Sequence, residues 1–494
     1  MTKTNNTKQA FWIALGSLFS FGFGLISSII LSRYFEKADY GTYRQVIYIY
    51  GSLLTIFTLG LPKAYSFFLP RTEDAQARDV IKKITNLFFL LVGVFSIFLY
   101  LASDAIALFL RNEDLALALK IFSPVPFFLL PTIGLEGILA TYRMTRFVAI
   151  YTVVTRVAML SCVVLPVLIW DAGYKGALTG FTIASFITFL TALYFKYMPV
   201  RSYGRDKSDL KYQEIFGFSL PLLYASLWGM LISSADQFFI SRYFGQEVFA
   251  DFSNGSLELP FVAMIVGATA AVLSPIFSRM SHEQLDPKKE IFPIWKSVFE
   301  KSALLIYPLL LYVWFFADVL MVFLYGEQYA ESAIYFRIKA ITNFFAIIVY
   351  APLLINSGKV KYYANIHLFI AILVILLEYM SVKTINSPYA ISSISLLCQL
   401  IKTILLLYVA ARILEVKFHQ LFPFSLLLKI LVPSSLALMA IKYSLDQFIL
   451  SEFLILIIGG LLFAIFYTLI AFVFRLDYLG LLKPLFARVA KNAK

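Results

Sequence analysis

Apolar residues arrive along the chain in runs of about twenty, each closed by a short polar break. A helix of that length crosses about 30 Å of hydrocarbon. The pattern predicts spans near 10–32, 45–69, 85–103, 116–140, 147–169, 176–196, 216–240, 252–277, 302–324, 334–356, 364–383, 389–411, 425–443 and 453–474, about fourteen in all. Turn chemistry justifies two of the divisions, at Asn356-Ser357-Gly358-Lys359 and at Asn386-Ser387-Pro388. The first run, Ala10 to Leu31, is too long for a signal-peptide core and lacks a small-residue cleavage site, so it is expected to persist as a span.

One stretch returns. Ser32-Arg33-Tyr34-Phe35, at the end of the first run, recurs 209 positions later as Ser241-Arg242-Tyr243-Phe244. At the same offset Tyr40 falls on Phe249, Gly41 on Ala250 and Tyr43 on Phe252. In the helices before each copy, Ser17, Ser20, Gly24 and Ser27 fall on Ser226, Gly229, Ser233 and Asp236, spaced to share one helical face. A fainter echo at an offset of 217 sets Leu119-Lys120-Ile121-Phe122 against Phe336-Arg337-Ile338-Lys339. Six spans separate the copies, so both run in the same direction, as in a repeat about an axis along the membrane normal. The expected architecture is an all-α integral membrane protein. It has a six-helix bundle at 1–196, a linker at 197–215, a second bundle at 216–411, and a terminal helix pair with a basic tail at 412–494.

Composition agrees: 60% of the 494 residues are hydrophobic and 14% charged, where a soluble domain carries about a quarter charged. The net charge of +13 invites a nucleic-acid reading, but the cations lie in short connectors. With an even number of spans, 27 Lys and Arg fall on the side of the termini and seven on the other, which predicts both termini in the cytoplasm and no nucleic-acid partner. Cys162 and Cys398 sit inside apolar runs, and His282, His367 and His419 are scattered, so neither a disulfide framework nor a metal motif emerges. No phosphate-binding glycine loop, metal triad or nucleophile motif is present either, which argues against an enzyme.

Charge inside a bilayer is costly, and residues that keep it usually face protein or water. Span two carries a polar stripe of Gln45, Tyr48, Ser52, Thr55, Lys63 and Ser66, and span seven one of Ser219, Ser226, Gly229, Ser233, Asp236 and Gln237. Asn254 and Glu258 sit one turn apart in span eight. These stripes either line a cavity or let helices approach closely. Arg33, Arg44 and Arg242 stand at outer helix ends, where translocation disfavours cations. Arg156 and Lys402 lie deeper, placed to bind an anion or to pair with Glu136 or Glu378.

Ile30-Leu31-Ser32-Arg33-Tyr34-Phe35 with Asp39-Tyr40-Gly41-Thr42-Tyr43, then Leu59-Gly60-Leu61-Pro62 and Phe68-Leu69-Pro70-Arg71, resemble bacterial oligosaccharide flippases of the O-antigen (Wzx) type. These form the polysaccharide-transporter branch of the multidrug/oligosaccharidyl-lipid/polysaccharide exporter superfamily. Asp236 through Gly245 and Gly326-Glu327-Gln328-Tyr329 share the likeness, which covers about residues 10 to 410. The resemblance implies two six-helix bundles around a central cavity and alternating access. It also implies a polyprenyl-diphosphate-linked oligosaccharide moved between the leaflets of the cytoplasmic membrane.

Such a headgroup needs cations for phosphate, and Arg33, Arg44, Lys63, Arg156 and Arg242 are the candidates. Asp236 and Glu258 are the candidate carboxylates, to pair with those cations or to bind a coupling H+ or Na+; no other cofactor is expected. Expected partners are the lipid-linked oligosaccharide, membrane lipids, and a polysaccharide polymerase or chain-length regulator. Competing readings are a drug or cation exporter or a peptidoglycan-precursor flippase of the same superfamily, and, in a different class, a membrane polymerase or ligase.

Overall fold

The computed structural model describes residues 6–283 and 285–476; the basic tail beyond Leu476 and the side chain of Ser17 lie outside them. The described residues form helices and no strand. In chain order the first ten are α1 (Asn6–Tyr34), α2 (Lys37–Thr58), α3 (Pro62–Phe68), α4 (Ala77–Leu110), α5 (Asp114–Phe122), α6 (Val125–Leu129), α7 (Leu135–Thr141), α8 (Thr145–Trp170), α9 (Gly173–Tyr197) and α10 (Tyr212–Gly255). They are followed by α11 (Pro260–Glu283), α12 (Phe292–Phe315), α13 (Ala317–Tyr325), α14 (Ser332–Ala346), α15 (Ala351–Asn356), α16 (Val360–Thr384), α17 (Pro388–Ile413), α18 (Phe424–Leu445) and α19 (Glu452–Val473).

Twelve helical stretches among the described residues are long and apolar enough to cross a membrane, and each overlaps a predicted span. The protein is therefore an all-helical, multi-pass membrane protein. Two of the fourteen predicted spans are not in that set: the first, whose apolar helical stretch is Leu18–Tyr34, and 334–356, which the chain breaks in two.

Several spans are discontinuous, for reasons carried by their residues. Left-handed Leu59 and Gly60, with φ of 46° and 73°, end α2, and Pro62 opens α3. Span 116–140 becomes three pieces around Pro124, Pro131 and Gly134, the last at φ 99°. A Cβ at Gly134 would lie 2.5 Å from the Tyr65 ring, so glycine serves both the turn and the packing there. Span 334–356 opens between α14 and α15, and side chains serve its freed carbonyls. Trp295 Nε1 donates to the Val349 oxygen at 2.8 Å, and the Tyr307 hydroxyl to that of Phe344 at 2.8 Å. Without water, each such group needs a protein partner. Between 240 and 252, where a boundary is expected, the chain breaks at Gly245, but helix resumes directly after it and runs on to Gly255.

The breaks follow the repeat. Offset 209 relates Glu36, where α1 gives way to α2, to Gly245, where α10 kinks. Offset 217 carries the 3-10 turn and break at 130–134 onto 347–351, where α14 gives way to α15, so α7 corresponds to α15. The cations it relates are both paired, although Met321 and not Asp318 stands at the position equivalent to Asp104: Lys120 meets Asp104 at 2.9 Å, and Arg337 meets Asp318 at 3.3 Å. These two cations thus pair with a carboxylate of the preceding span.

The chain gathers into two compact units, 1–250 and 251–494. In the first, α1 packs along α8, α8 along α9, and α4 against α5 and α6. In the second, α16 packs on α17, and the terminal pair α18 and α19 docks on α12 and α13. There the Tyr467 hydroxyl donates to the Leu304 carbonyl at 2.9 Å, and Lys442 reaches Asp318 at 2.6 Å.

Candidate functional site

Within the first unit α1, α2 and α8 turn one face each toward a shared cavity of about 190 Å³, to which α9 adds Phe181. The spacing of the lining residues explains why. Gly24, Ser27, Ser28 and Leu31 of α1, Tyr43, Arg44, Ile47 and Tyr50 of α2, and Arg156, Met159, Leu160 and Val163 of α8 each follow three- and four-residue steps. The small residues of α1 open space on one wall; the other two walls bring guanidinium groups to it. Arg44 is half-buried, while Arg156 is exposed, so the cavity has an open side. At one end it is framed by the Ser28–Tyr40 hydroxyl bond at 2.7 Å and by the edge-on contact of Phe35 with Tyr43. Arg44 and Arg156 are thus the two predicted cations that the structure brings together. No ion pair joins Arg156 to Glu136 among the described residues.

The polar stripe of α2 serves a different purpose. Gln45 donates to the Ser241 hydroxyl at 2.8 Å and accepts from Asn112 at 2.6 Å, and Asn112 also reaches the Thr42 hydroxyl at 2.9 Å. One turn further along α2, the Tyr48 hydroxyl donates to the Ser234 carbonyl at 3.4 Å. Ser52 meets the Ser234 hydroxyl at 3.1 Å. These residues bind α2 to α10, and the close approach depends on Gly41, where a Cβ would lie 2.0 Å from the Gln246 carbonyl oxygen. For Gln45, Tyr48 and Ser52, helix packing is therefore the reading that the structure supports.

The remaining candidates are dispersed. Arg33 is exposed at the last turn of α1, and Lys63 is exposed at the start of α3. Arg242 is half-buried, its guanidinium carbon 4.5 Å from the centre of the Phe109 ring. Asp236 is completely buried in α10, and its Oδ1 accepts the Gln237 backbone N–H at 2.8 Å. Glu258 is exposed in the connector ahead of α11, in the second unit.

Two features escape the sequence. Lys196, which falls among the connector cations, is completely buried. Its ammonium donates to the Pro131 carbonyl at 2.8 Å and lies 4.7 Å from the Tyr65 ring centre. The sequence signal is indirect: the turn through Gly134, just after Pro131, ends the helix there and leaves the Pro131 carbonyl in need of a donor. The second feature is a cavity of about 220 Å³ in the other unit, lined by Lys402, Gln399, Thr403 and Tyr350. It gives the deep lysine of α17 a polar setting of its own.

A buried polar crossing and a cation-lined recess thus lie inside an all-helical membrane unit. A family model described as "Polysaccharide biosynthesis protein" matches residues 7–281, more than half of the chain, and the protein belongs to that family. Among solved structures, a lipid II flippase MurJ in an inward closed conformation is similar over 94% of this chain and 98% of its own, with a TM-score of 0.74 and 16% identity. An inward-facing multidrug-resistance MATE transporter of the MOP superfamily covers 82% of this chain and 99% of its own, at a TM-score of 0.59 and 14% identity. A MOP superfamily transporter from Pyrococcus furiosus aligns over 83% of this chain and 96% of its own, at a TM-score of 0.56 and 15% identity. The fold is thus that of MOP superfamily transporters and flippases. No curated protein matches the sequence.

Proposed function

We propose that the protein passes a polyprenyl-diphosphate-linked oligosaccharide repeat unit from the cytoplasmic to the outer leaflet of the inner membrane by alternating access. The unit would serve assembly of a surface polysaccharide: O-antigen, capsule or exopolysaccharide. The observation that carries this reading is the convergence of Arg44 and Arg156 on one recess, in a chain of the polysaccharide biosynthesis family. Two planar, permanently charged donors suit a diphosphate, whose charge would otherwise bar it from hydrocarbon. At about 190 Å³ the recess is smaller than the roughly 300–1,000 Å³ of drug-sized pockets, so it suits the diphosphate, with the sugars extending through its open side.

On this reading the protein is a carrier and not an enzyme. Both termini lie in the cytoplasm, as the bias of 27 connector cations against seven supports. A polymerase or chain-length regulator takes the unit on the far side. The buried carboxylate of Asp236 is the proposed site where a H+ or Na+ gradient is felt, because an ionisable group at that depth is seldom kept for packing alone.

The test uses two host strains, one lacking its own oligosaccharide flippase and one depleted of its peptidoglycan-precursor flippase. The protein is expected to restore surface polymer in the first and not growth in the second. Rescue of the second strain alone would replace this substrate with the peptidoglycan precursor. Resistance to organic cations without either rescue would point to a drug exporter.

A further inference from the structure

A second recess of the first unit lies between the start of α4, the end of α9 and the segment 201–211, and encloses about 550 Å³. Arg78 and Lys82 contribute from α4, Arg205 and Lys207 from the segment. Among the described residues none of these four makes an ion pair. Asp79 also lines the recess, but its charge is already answered: Lys83 lies 3.0 Å away, and its Oδ2 accepts from the Ser208 backbone N–H at 2.9 Å and hydroxyl at 2.8 Å. The lining thus holds four cations without a compensating anion.

Its shape adds a second observation. Arg78, Lys82, Thr85 and Phe89 climb one face of α4 in steps of three and four, which extends the lining about 16 Å along the helix. Leu193 of α9 lines the same recess, one turn before Tyr197. The recess is basic at the end of the helices and apolar deeper in. The segment that supplies Arg205 and Lys207 is tied down, because the Asp206 N–H bonds the Ala75 carbonyl at 3.2 Å and Lys83 bonds the carbonyls of Ser208 and Leu210 at 2.7 and 3.0 Å.

We infer that this recess binds the headgroup of an anionic phospholipid of the surrounding leaflet, with its phosphate among Arg78, Lys82, Arg205 and Lys207 and an acyl chain along Phe89 and Leu193. Basic pockets between membrane helices at the cytoplasmic surface suit such headgroups, and each nearby Lys or Arg strengthens the attraction. The site is separate from the recess at Arg44 and Arg156, and the inference does not depend on the transported substrate.

Full-length protein in neutral detergent is titrated with phosphatidylglycerol, phosphatidylcholine of the same chain length, undecaprenyl diphosphate and inorganic pyrophosphate. Bound lipid is read by native mass spectrometry and stability by thermal unfolding. The expected result is a preference for phosphatidylglycerol over phosphatidylcholine. That preference falls on the order of tenfold or more in Arg78→Gln/Lys82→Gln/Arg205→Gln/Lys207→Gln. It is kept in Lys359→Gln/Lys361→Gln/Arg412→Gln/Lys417→Gln, which removes equal charge elsewhere. Arg205→Gln/Lys207→Gln, confined to an exposed segment, supplies a partial loss should the fourfold variant not fold. Preference surviving in both pocket variants, or lost equally in the control, overturns the site. Displacement of phosphatidylglycerol by pyrophosphate alone makes it a free-anion site and overturns the lipid reading. Tighter binding of undecaprenyl diphosphate than of phosphatidylglycerol, abolished in the pocket variants, makes it a dock for the transported lipid and overturns the phospholipid assignment.

Discussion

Ser32-Arg33-Tyr34-Phe35 and Ser241-Arg242-Tyr243-Phe244 have one sequence and two settings. In the first copy the break after the tetrapeptide falls at Glu36, with an ordinary φ of −59°, and Arg33 is exposed. In the second it falls at Gly245, with φ of 84°, and Arg242 is half-buried over the Phe109 ring. The serines differ as well: Ser241 accepts from Gln45, while Ser32 donates to its own helix at the Ile29 carbonyl, 2.9 Å away. A repeat therefore preserves the local course of the chain, helix, break and helix, without preserving what each side chain does. What lies across the crossing decides that, and across α2 the decisive residue is Gly41.

Substitutions at paired positions should break that equivalence in a graded way, measured as thermal or denaturant unfolding of purified protein. The largest effect is expected at Gly41→Leu, which drives a side chain into the Gln246 backbone and should cost about 3 kcal/mol. Its repeat partner Ala250 already carries a methyl group, and Ala250→Gly should cost only about 1 kcal/mol. Next comes Gln45→Leu, which removes one of the two partners of Asn112 and the donor to Ser241 in a buried place and should cost about 2 kcal/mol. Gly245→Ala, forced to a positive φ, should lose about 1–2 kcal/mol, while Glu36→Ala should be near neutral. The smallest difference is between the arginines: Arg242→Ala should cost about 0.5–1 kcal/mol through its ring contact, and Arg33→Ala less than about 0.5. Equal losses within every pair would mean that the settings do not differ in energy.

The spans are legible in the sequence because hydrophobic length is set by the bilayer, and the repeat is legible because it keeps residues such as Lys120 and Arg337 at one offset. Periodicity also places Gly24 and Ser27 on one face of α1, and that face opens on the cavity. It does not say what lies opposite a face. The stripe of α2 reads equally well as cavity wall or as contact, and Ser234, Ser241 and Asn112 make it contact. Lys196 reads as a connector cation because it stands at the end of an apolar run; the Pro131 carbonyl, at a helix break in another span, instead draws it inward. Lys63 and Glu258 stand out for their charge inside apolar runs, yet breaks in the helices leave both exposed.

The central claim is that Arg44 and Arg156 together receive a diphosphate headgroup. Binding of undecaprenyl diphosphate to purified wild-type protein and to Arg44→Gln/Arg156→Gln, followed by native mass spectrometry or calorimetry, tests it directly. Removing two charge-assisted hydrogen-bonding groups at once should weaken binding by about a hundredfold or more. Unchanged affinity in a variant that unfolds at the wild-type temperature would contradict the claim.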